Sequence, residues 1–487
     1  MASLSDLVDI AVDVHRTDAG RLKTLDDYVR GRQSSPYGAR GHSDEFRALA
    51  KRAVTNWIGL AVNIPCQMSI IEGYRVRDDA DPPEWDAFMG NRMERKQSAF
   101  HYAAGVFGHS FAEVEWPAAG RVVNGSPLPI VRGLPTTRTV ALYDDPFGDR
   151  FPVFAIRFDA GVTGVSEHGE ATAWTETEKL RLSWRTDGES RNVRVVKRAK
   201  HGFPVVPIVR WSISMDLEGR TMGLVEPLIQ PQDEVNQAKF DLSVTRNFSS
   251  YKIRTASGLE GEPVIDPQTG EHLLDEATGE PLYQAPEIGP DKFLVSEDDQ
   301  TKFGTLDETP LDGFISSLNQ SVEQFAAVAQ IPPHALQGRM ANLSAEALVA
   351  AEEQLMRQVG SLQRSWGDTW TTLFQLFAFA QGQPDALDDY TGRVRWRDMR
   401  ARSMGEMVDA LGKGSTMLGI PQQGMWKMFP GADASTLQEW KEMAAAAPPV
   451  ETTEAGNALN LSRSLAGFAS QTSRTGRPTA APVRRGA

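Results

Sequence analysis

Between two stretches of helical periodicity, residues 256–303 carry twelve Asp or Glu against two Lys, a local charge of −10, with Gly and Pro at turn spacing. Carboxylates gain nothing from burial without partners, so this segment is too acidic and too short to hold a core of its own. Inside lies a small repeat, Asp266-Pro-Gln-Thr-Gly-Glu-His-Leu273, followed nine residues on by Asp275-Glu-Ala-Thr-Gly-Glu-Pro-Leu282. Each Thr-Gly is a turn signal, and the repeat reads as stacked hairpins. The interdigitated acids of a calcium loop are missing.

The flanks are helical. Upstream, Val235, Ala238, Leu242 and Thr245 form one stripe and Phe240, Val244, Phe248 and Tyr251 another, which suits a helix packed between neighbours. Downstream, Thr309 is a good N-cap, with Pro310 at the first helical position and Asp312 in the first turn. Leu311, Ile315, Leu318, Val322, Phe325 and Ala329 carry the stripe until Ile331-Pro-Pro333 ends it. A loop from Pro333 to Leu343 leads to Ser344, the expected cap of a helix with Leu348, Leu355, Val359, Leu362, Trp366, Trp370, Leu373 and Phe377 in phase. Unbroken to Ala380, that helix would measure about 55 Å at 1.5 Å per residue. Gly360 and Gly367 are its expected bends.

Residues 1–42 read as a polar lead-in with a short helix near Leu22 to Val29. From Ser43, apolar residues at Phe46, Leu49, Ala53, Trp57, Leu60 and Ala61 predict one helix, bounded by Pro65. Met68 to Val76 reads as an extended strand pair, Trp85 to Phe107 as a second helix, and Ser110 to Trp116 as a strand. Short β-type runs follow: Phe151–Phe158, Lys179–Trp184, Val193–Lys197 and Pro204–Trp211. Beyond Pro384 lie shorter helices over Ser403–Leu411, Gln422–Phe429 and Ser435–Ala447. From Pro448 a tail with five Arg and two Glu is expected to be disordered, with a nucleic-acid-binding arm as its sharper reading.

At 487 residues the chain exceeds one ordinary core, and two to four structural units are expected. No apolar run approaches the roughly 20 residues of a membrane helix. The amino-terminal residues lack a signal-peptide pattern, so synthesis inside a cell is expected. The lone Cys66 excludes an intrachain disulfide and reads as a small buried hydrophobe. No P-loop is present: Leu411-Gly-Lys-Gly-Ser415 has a glycine between Lys413 and Ser415 and reads as a helix-ending turn. There is no H-E-x-x-H, no G-x-S-x-G and no G-x-G-x-x-G after a strand, and His101 and His109 lack a carboxylate partner motif. Neither catalysis nor a bound metal or cofactor is expected. A net charge of −13 argues against a tight grip on nucleic acid, yet it suits a channel along which phosphates must slide.

Three passages in order carry a resemblance. Ile71-Glu-Gly-Tyr-Arg-Val76 is followed by Trp85, Asn91-Arg-Met93 and His101-Tyr-Ala-Ala-Gly-Val-Phe-Gly-His-Ser-Phe-Ala-Glu-Val114. Next come Val206-Pro-Ile-Val209, Gly223-Leu-Val-Glu226 and Pro231-Gln-Asp-Glu-Val-Asn-Gln237. Last are Gln330-Ile-Pro-Pro-His-Ala-Leu-Gln-Gly338 and Asn342-Leu-Ser-Ala-Glu346. Over about residues 45–445 the chain resembles the portal proteins of tailed bacteriophages, especially the siphophage type found in phages of actinobacteria.

The resemblance implies an α+β portal fold: lead-in (1–42), α/β wing (43–224), first stem helix (225–255, with Pro231 to Thr255 helical), β-containing clip (256–305) and second stem helix (306–332). A channel loop (333–344), a long bent wing helix with its return (345–399), a helical crown (400–447) and the tail (448–487) complete it. It further implies a ring of about twelve copies at one capsid vertex, passing double-stranded DNA in packaging and ejection. The terminase large subunit and the head–tail connector would meet the clip, with major capsid and scaffolding proteins around the ring. The protein would reside in the virion, and in the host cytoplasm during assembly. Gln337, Gly338, Arg339, Met340 and Asn342 become candidates for DNA contact in the loop. Lys239, Arg246, Lys252 and Arg254 either face phosphates from the stem or serve intersubunit ion pairs or a solvated face. The competing readings are a terminase-like ATP-driven motor and a capsid or scaffold protein without a channel.

Overall fold

A computed structural model describes residues 3–37, 44–76, 79–80, 82–161, 168–187, 190–249, 254–257, 262–266, 269–274, 279–284, 302–305, 310–338, 345–397, 399, 404–418, 420–426, 429 and 434–446. The chain divides into two compact units, residues 1–397 and 398–487.

The first unit opens with helices α1 (Leu4–Val29), α2 (Asp44–Ala53) and α3 (Trp57–Gln67). Strands β1 (Ile71–Val76) and β2 (Asp79–Ala80) lead to α4 (Pro83–Gly90) and α5 (Met93–Phe107). Then come β3 (His109–Glu115), a short ladder of β4 (Val122–Val123) and β5 (Ser126–Pro127), and β6 (Ile130–Leu134). An antiparallel meander follows: β7 (Thr139–Leu142), β8 (Phe154–Phe158), β9 (His168–Trp174), β10 (Glu178–Asp187) and β11 (Ser190–Lys200). Strand β12 (Ile208–Ser212) and the ladder β13 (Ser214–Met215) with β14 (Thr221–Met222) close this half.

The helical pair and the insert between its members comprise α6 (Ile229–Ser249), β15 (Arg254–Ser257), β16 (Glu262–Pro263), β17 (Tyr283–Gln284), β18 (Lys302–Thr305) and α7 (Asp312–Ala329). After it come α8 (Pro333–Gln337), α9 (Ala345–Ala380) and β19 (Arg393–Trp396). The second unit holds α10 (Met404–Leu418), α11 (Gln422–Trp426) and α12 (Ala434–Ala446). The mixture of helix and antiparallel sheet is the α+β class expected.

Three sheets organise the first unit, ordered β19-β1-β2, β12-β3-β6 and β11-β10-β9-β8-β7. The carboxy-terminal half of α9 is the spine of the main core. Trp366, Trp370, Leu373, Phe374, Leu376 and Phe377 are fully buried against α4, α5 and β12, and each buried Phe contributes about 1.5–3 kcal/mol. At the centre His101 stacks on Trp366 at 4.3 Å, while Trp370 Nε1 donates to His101 Nε2 at 2.8 Å. Burial pushes the His101 pKa down to about 3, with only partial relief from the Ser69 backbone, so it is a neutral packing residue. The buried Glu113 carboxylate accepts from Trp174 Nε1 at 2.7 Å and Lys179 Nζ at 2.6 Å, which ties the three-stranded β12-β3-β6 sheet to the meander.

Several boundaries differ from the sequence reading. The polar lead-in is largely a 26-residue helix, opened by a reciprocal Ser3/Asp6 capping box. It buries Val8, Ala11 and Val12 on the meander and Leu25 and Val29 in the main core. Its apolar positions keep helical spacing, but interleaved Asp and Arg hide the stripe. The single helix expected from Ser43 divides at residues 54–56, where Asn56 caps α3 by accepting from Gly59 N at 3.0 Å, and Pro65 lies inside α3 rather than at its boundary. The second expected helix divides at Asn91-Arg92, with Arg92 at φ 56°. α7 starts at Asp312 with Leu311 in the cap position; Thr309 lies outside the described residues. α9 is one uninterrupted helix through Gly360 and Gly367. α10 runs through Gly412–Ser415, so that segment is helical instead of a terminating turn, with Lys413 paired to Asp409 at 2.6 Å.

Candidate functional site

The α6–α7 pair is positioned by a close backbone crossing. At the end of α5, Gly108 adopts φ 86°, and a Cβ there would lie 3.1 Å from Gly223 N. A Cβ on Gly223 would meet Val106 O at 2.5 Å and Gly105 O at 2.9 Å, so both positions require glycine. Leu224 N donates to Gly105 O at 2.8 Å. Arg21 of α1 clamps the crossing, donating to Phe107 O and Thr221 O at 3.1 and 3.3 Å and pairing with Glu226.

One turn further on, Gln232 and Asn236 of α6 are buried. Gln232 Oε1 accepts from Trp57 N and Ile58 N at 3.1 and 3.2 Å, which satisfies donors that the first turn of α3 leaves open. Gln232 Nε2 donates to Thr55 Oγ1 and Asn236 Oδ1, and the latter also accepts from Thr55 N at 2.9 Å. This network bolts the base of α6 into the gap between α2 and α3. Nothing in the helical periodicity pointed to it; the one available signal was two amides, four apart, on an otherwise apolar stripe.

α6 and α7 lie along one another, Phe325 of α7 packs edge-on against Trp57, and α2 covers Phe240. The exposed side of α7 includes Ile315, Ser316, Ser317, Gln320, Gln324 and Val328, apolar or neutral polar groups, together with the carboxylates Asp312 and Glu323. Of the stem candidates, Lys239 is half-buried and burial lowers its ammonium pKa, whereas Arg246 is exposed near the end of α6. Arg254 is not helical: α6 stops at Ser249, and Arg254 starts β15 opposite Thr305. A turn-prone Ser-Gly at 257–258 follows, and the backbone pairs with β18 instead of extending the helix. Lys252 lies outside the described residues.

The acidic insert does contain paired strands, β15 with β18 and β16 with β17. Bridges Ile265↔His272 and Leu274↔Pro281 flank the two Thr-Gly turns, whose Gly270 and Gly279 adopt φ 74° and 72°. The repeat closes on itself: Val264 N donates to Leu282 O, Leu273 N to Val264 O and Leu282 N to Leu273 O, at 2.8, 2.9 and 2.8 Å. Three segments nine residues apart thereby share one ring of backbone bonds, and Ile265, Leu273, Leu274 and Leu282 are left exposed. The turn within each copy was legible; the closure was not.

In the loop after α7, Gln330 adopts φ 57° and α8 fills Pro333–Gln337, so the first part of the expected loop is a helical turn. Gln337 ends it, and Gly338, at φ 63°, caps it by donating to His334 O at 2.9 Å. Arg339, Met340 and Asn342 lie outside the described residues. Among the described residues no group of three His, Cys, Asp or Glu is arranged to hold a metal ion, and no helix is long and apolar enough to cross a membrane.

Comparison with known proteins adds family information. The family described as phage portal protein, SPP1 Gp6-like, matches residues 9–449. A portal protein of Mycobacterium phage D29 is 26% identical over 398 residues, 80% of this chain and 78% of that protein. A portal protein of Mycobacterium phage L5 is 25% identical over 361 residues, covering 73% and 71%. Among solved structures, a chain from the neck of an empty GTA particle aligns with 82% of this chain and 89% of its own, at 11% identity and a TM-score of 0.40. A chain from the virion of a native gene transfer agent particle aligns over 83% and 99%, at 12% identity and a TM-score of 0.39.

Proposed function

This chain belongs to the SPP1 Gp6-like family of phage portal proteins, and on that premise we propose that its copies form a ring of about twelve at one capsid vertex, a conduit for double-stranded DNA. The observation that carries the reading is the continuity of the family match, residues 9–449, across both units. The physical chemistry agrees. α6 and α7 lie along one another with exposed apolar groups at Ile315 and Val328, a surface that a neighbouring copy would cover. The acidic insert carries exposed Ile265, Leu273, Leu274 and Leu282, the mixture of charge and apolar anchor that suits docking of the terminase large subunit and later the head–tail connector.

Within this reading Gln337, Gly338, Arg339, Met340 and Asn342 approach DNA from the channel loop, while Lys239 and Arg246 stand on the stem. The ring carries no catalytic step of its own; the energy of packaging comes from the motor docked on it. Major capsid and scaffolding proteins surround it, and assembly takes place in the host cytoplasm before the protein is held in the virion.

Electron microscopy and mass measurement of the purified protein test the proposal. A ring of about twelve with an axial hole is expected; shells, rods or persistent monomers would refute it. ATP hydrolysis by the purified chain would favour the motor instead. Deleting Gln337 to Ala341 is expected to leave rings intact and block packaging, and normal packaging by that variant removes the loop from the DNA path.

A further inference from the structure

Strand β11 is the edge of the meander: β10 pairs with one side, and no described strand pairs with the other. Between Ser190 and Lys200 it carries Arg191, Arg194, Lys197, Arg198 and Lys200 and no carboxylate, a charge of +5 in a chain of −13. Two of these cations have internal duties. Arg191 pairs with Asp9 of α1, and Arg198 pairs with Glu178 at 3.2 Å. Arg194, Lys197 and Lys200 are exposed and have no ion pair or side-chain hydrogen bond among the described residues.

The backbone arranges them. Val193 and Val195 point into the core under α1. The register then slips, with Leu182 opposite Val195 and Arg181 opposite Lys197, so Val196 is a bulge residue. The slip puts Lys197 beside Arg181, whose charge is already met by Asp159 and Glu170.

We infer that the β11 edge is a sequence-independent binding surface for duplex DNA, with Arg194 and Lys197 reaching phosphates from one face of the sheet and Lys200, opposite Glu178, from the other. A single inward or central Lys is enough to guard an edge strand, and further unpaired cations along it add only mutual repulsion to the fold. An acidic polypeptide fits less well. Strand addition is blocked by the bulge and the cations, and the strand offers no exposed aromatic anchor of the kind protein interfaces use. At about 3.3 Å per residue Arg194 and Lys200 lie roughly 20 Å apart, so all three cations fall within the 34–36 Å of one duplex turn. The inference rests on the conduit reading only for DNA being the polyanion at hand.

The test uses the assembled full-length protein, a short fluorescent duplex and a NaCl titration followed by anisotropy. The variant R194Q/K197Q/K200Q is compared with K51Q/K96Q/R121Q, which removes the same charge elsewhere. The slope of log K against log salt is expected to become shallower by about 2–3 for the β11 variant, near 0.9 per lost phosphate contact, with roughly tenfold weaker binding at low salt. The control keeps the wild-type slope. Equal behaviour of the two variants would overturn the inference, as would tighter binding of β11 to poly-glutamate than to duplex at matched charge. Ring formation by microscopy is scored on the same samples: intact rings with unchanged DNA binding refute β11 alone, whereas failure of the wild type to form rings refutes the conduit.

Discussion

Gly223 and His101 illustrate how single residues of the recognisable passages act. Gly223 lies within Gly223-Leu-Val-Glu226 because backbone atoms of α5 occupy the space a Cβ would need. Backbone cannot move aside as a flexible side chain can. Gly223→Ala is expected to cost about 3 kcal/mol through overpacking, read as a lowered urea midpoint, and an unchanged midpoint would show that the crossing yields. His101 belongs to another such passage, yet its role is packing. Its folded pKa of about 3 lies below the unfolded value near 6.5, so acid favours the unfolded chain, which takes up a proton the native imidazole refuses. Its effect on stability is absent above pH 6.5 and grows as pH falls towards 3, reaching about 2 kcal/mol at pH 5 at roughly 1.4 kcal/mol per unit. Denaturation at pH 7.5 and pH 5.0 measures this, and His101→Gln is expected to flatten the difference.

At the scale of elements, helical periodicity predicted α6, α7 and α9, because long apolar stripes are a local property of sequence. It misplaced the breaks. The gap between α2 and α3 exists because Gln232 and Asn236, far along the chain, supply the bonds that a broken helix leaves open. Gln232→Leu keeps the volume and removes the partners of two buried backbone donors. At about 1–3 kcal/mol per orphaned group, a loss of about 2–6 kcal/mol is expected in chemical denaturation. A smaller loss would mean water replaces the amide. The acidic insert shows the same division. Its turns were written in Thr-Gly, whereas the ring joining Val264, Leu273 and Leu282 depends on three segments meeting in space.

For the whole molecule, the second unit gives the sharpest expectation. Of its described residues only Met425 is a buried hydrophobe, while Met417 and Leu418 are 78% and 75% exposed and Val408 and Met443 are also open. Apolar groups left open on these described helices are a surface that neighbouring copies in a ring would cover. M417E/L418E is therefore expected to shift the mass distribution from rings towards smaller species at equal protein concentration, and full rings at wild-type abundance would count against it. From the residues alone came the class of fold, the two helices that flank the acidic insert, the turns of that insert, the absence of catalytic signatures and the family resemblance. Each of these depends on local periodicity, charge or a motif read in order. Only the tertiary structure decided that α1 belongs to the core, that Arg254 leaves the helix, that glycine is obligatory at the α5–α6 crossing, and that β11 is a cationic edge. Those features arise where segments distant in sequence come within hydrogen-bonding or van der Waals reach, and no local pattern encodes that proximity.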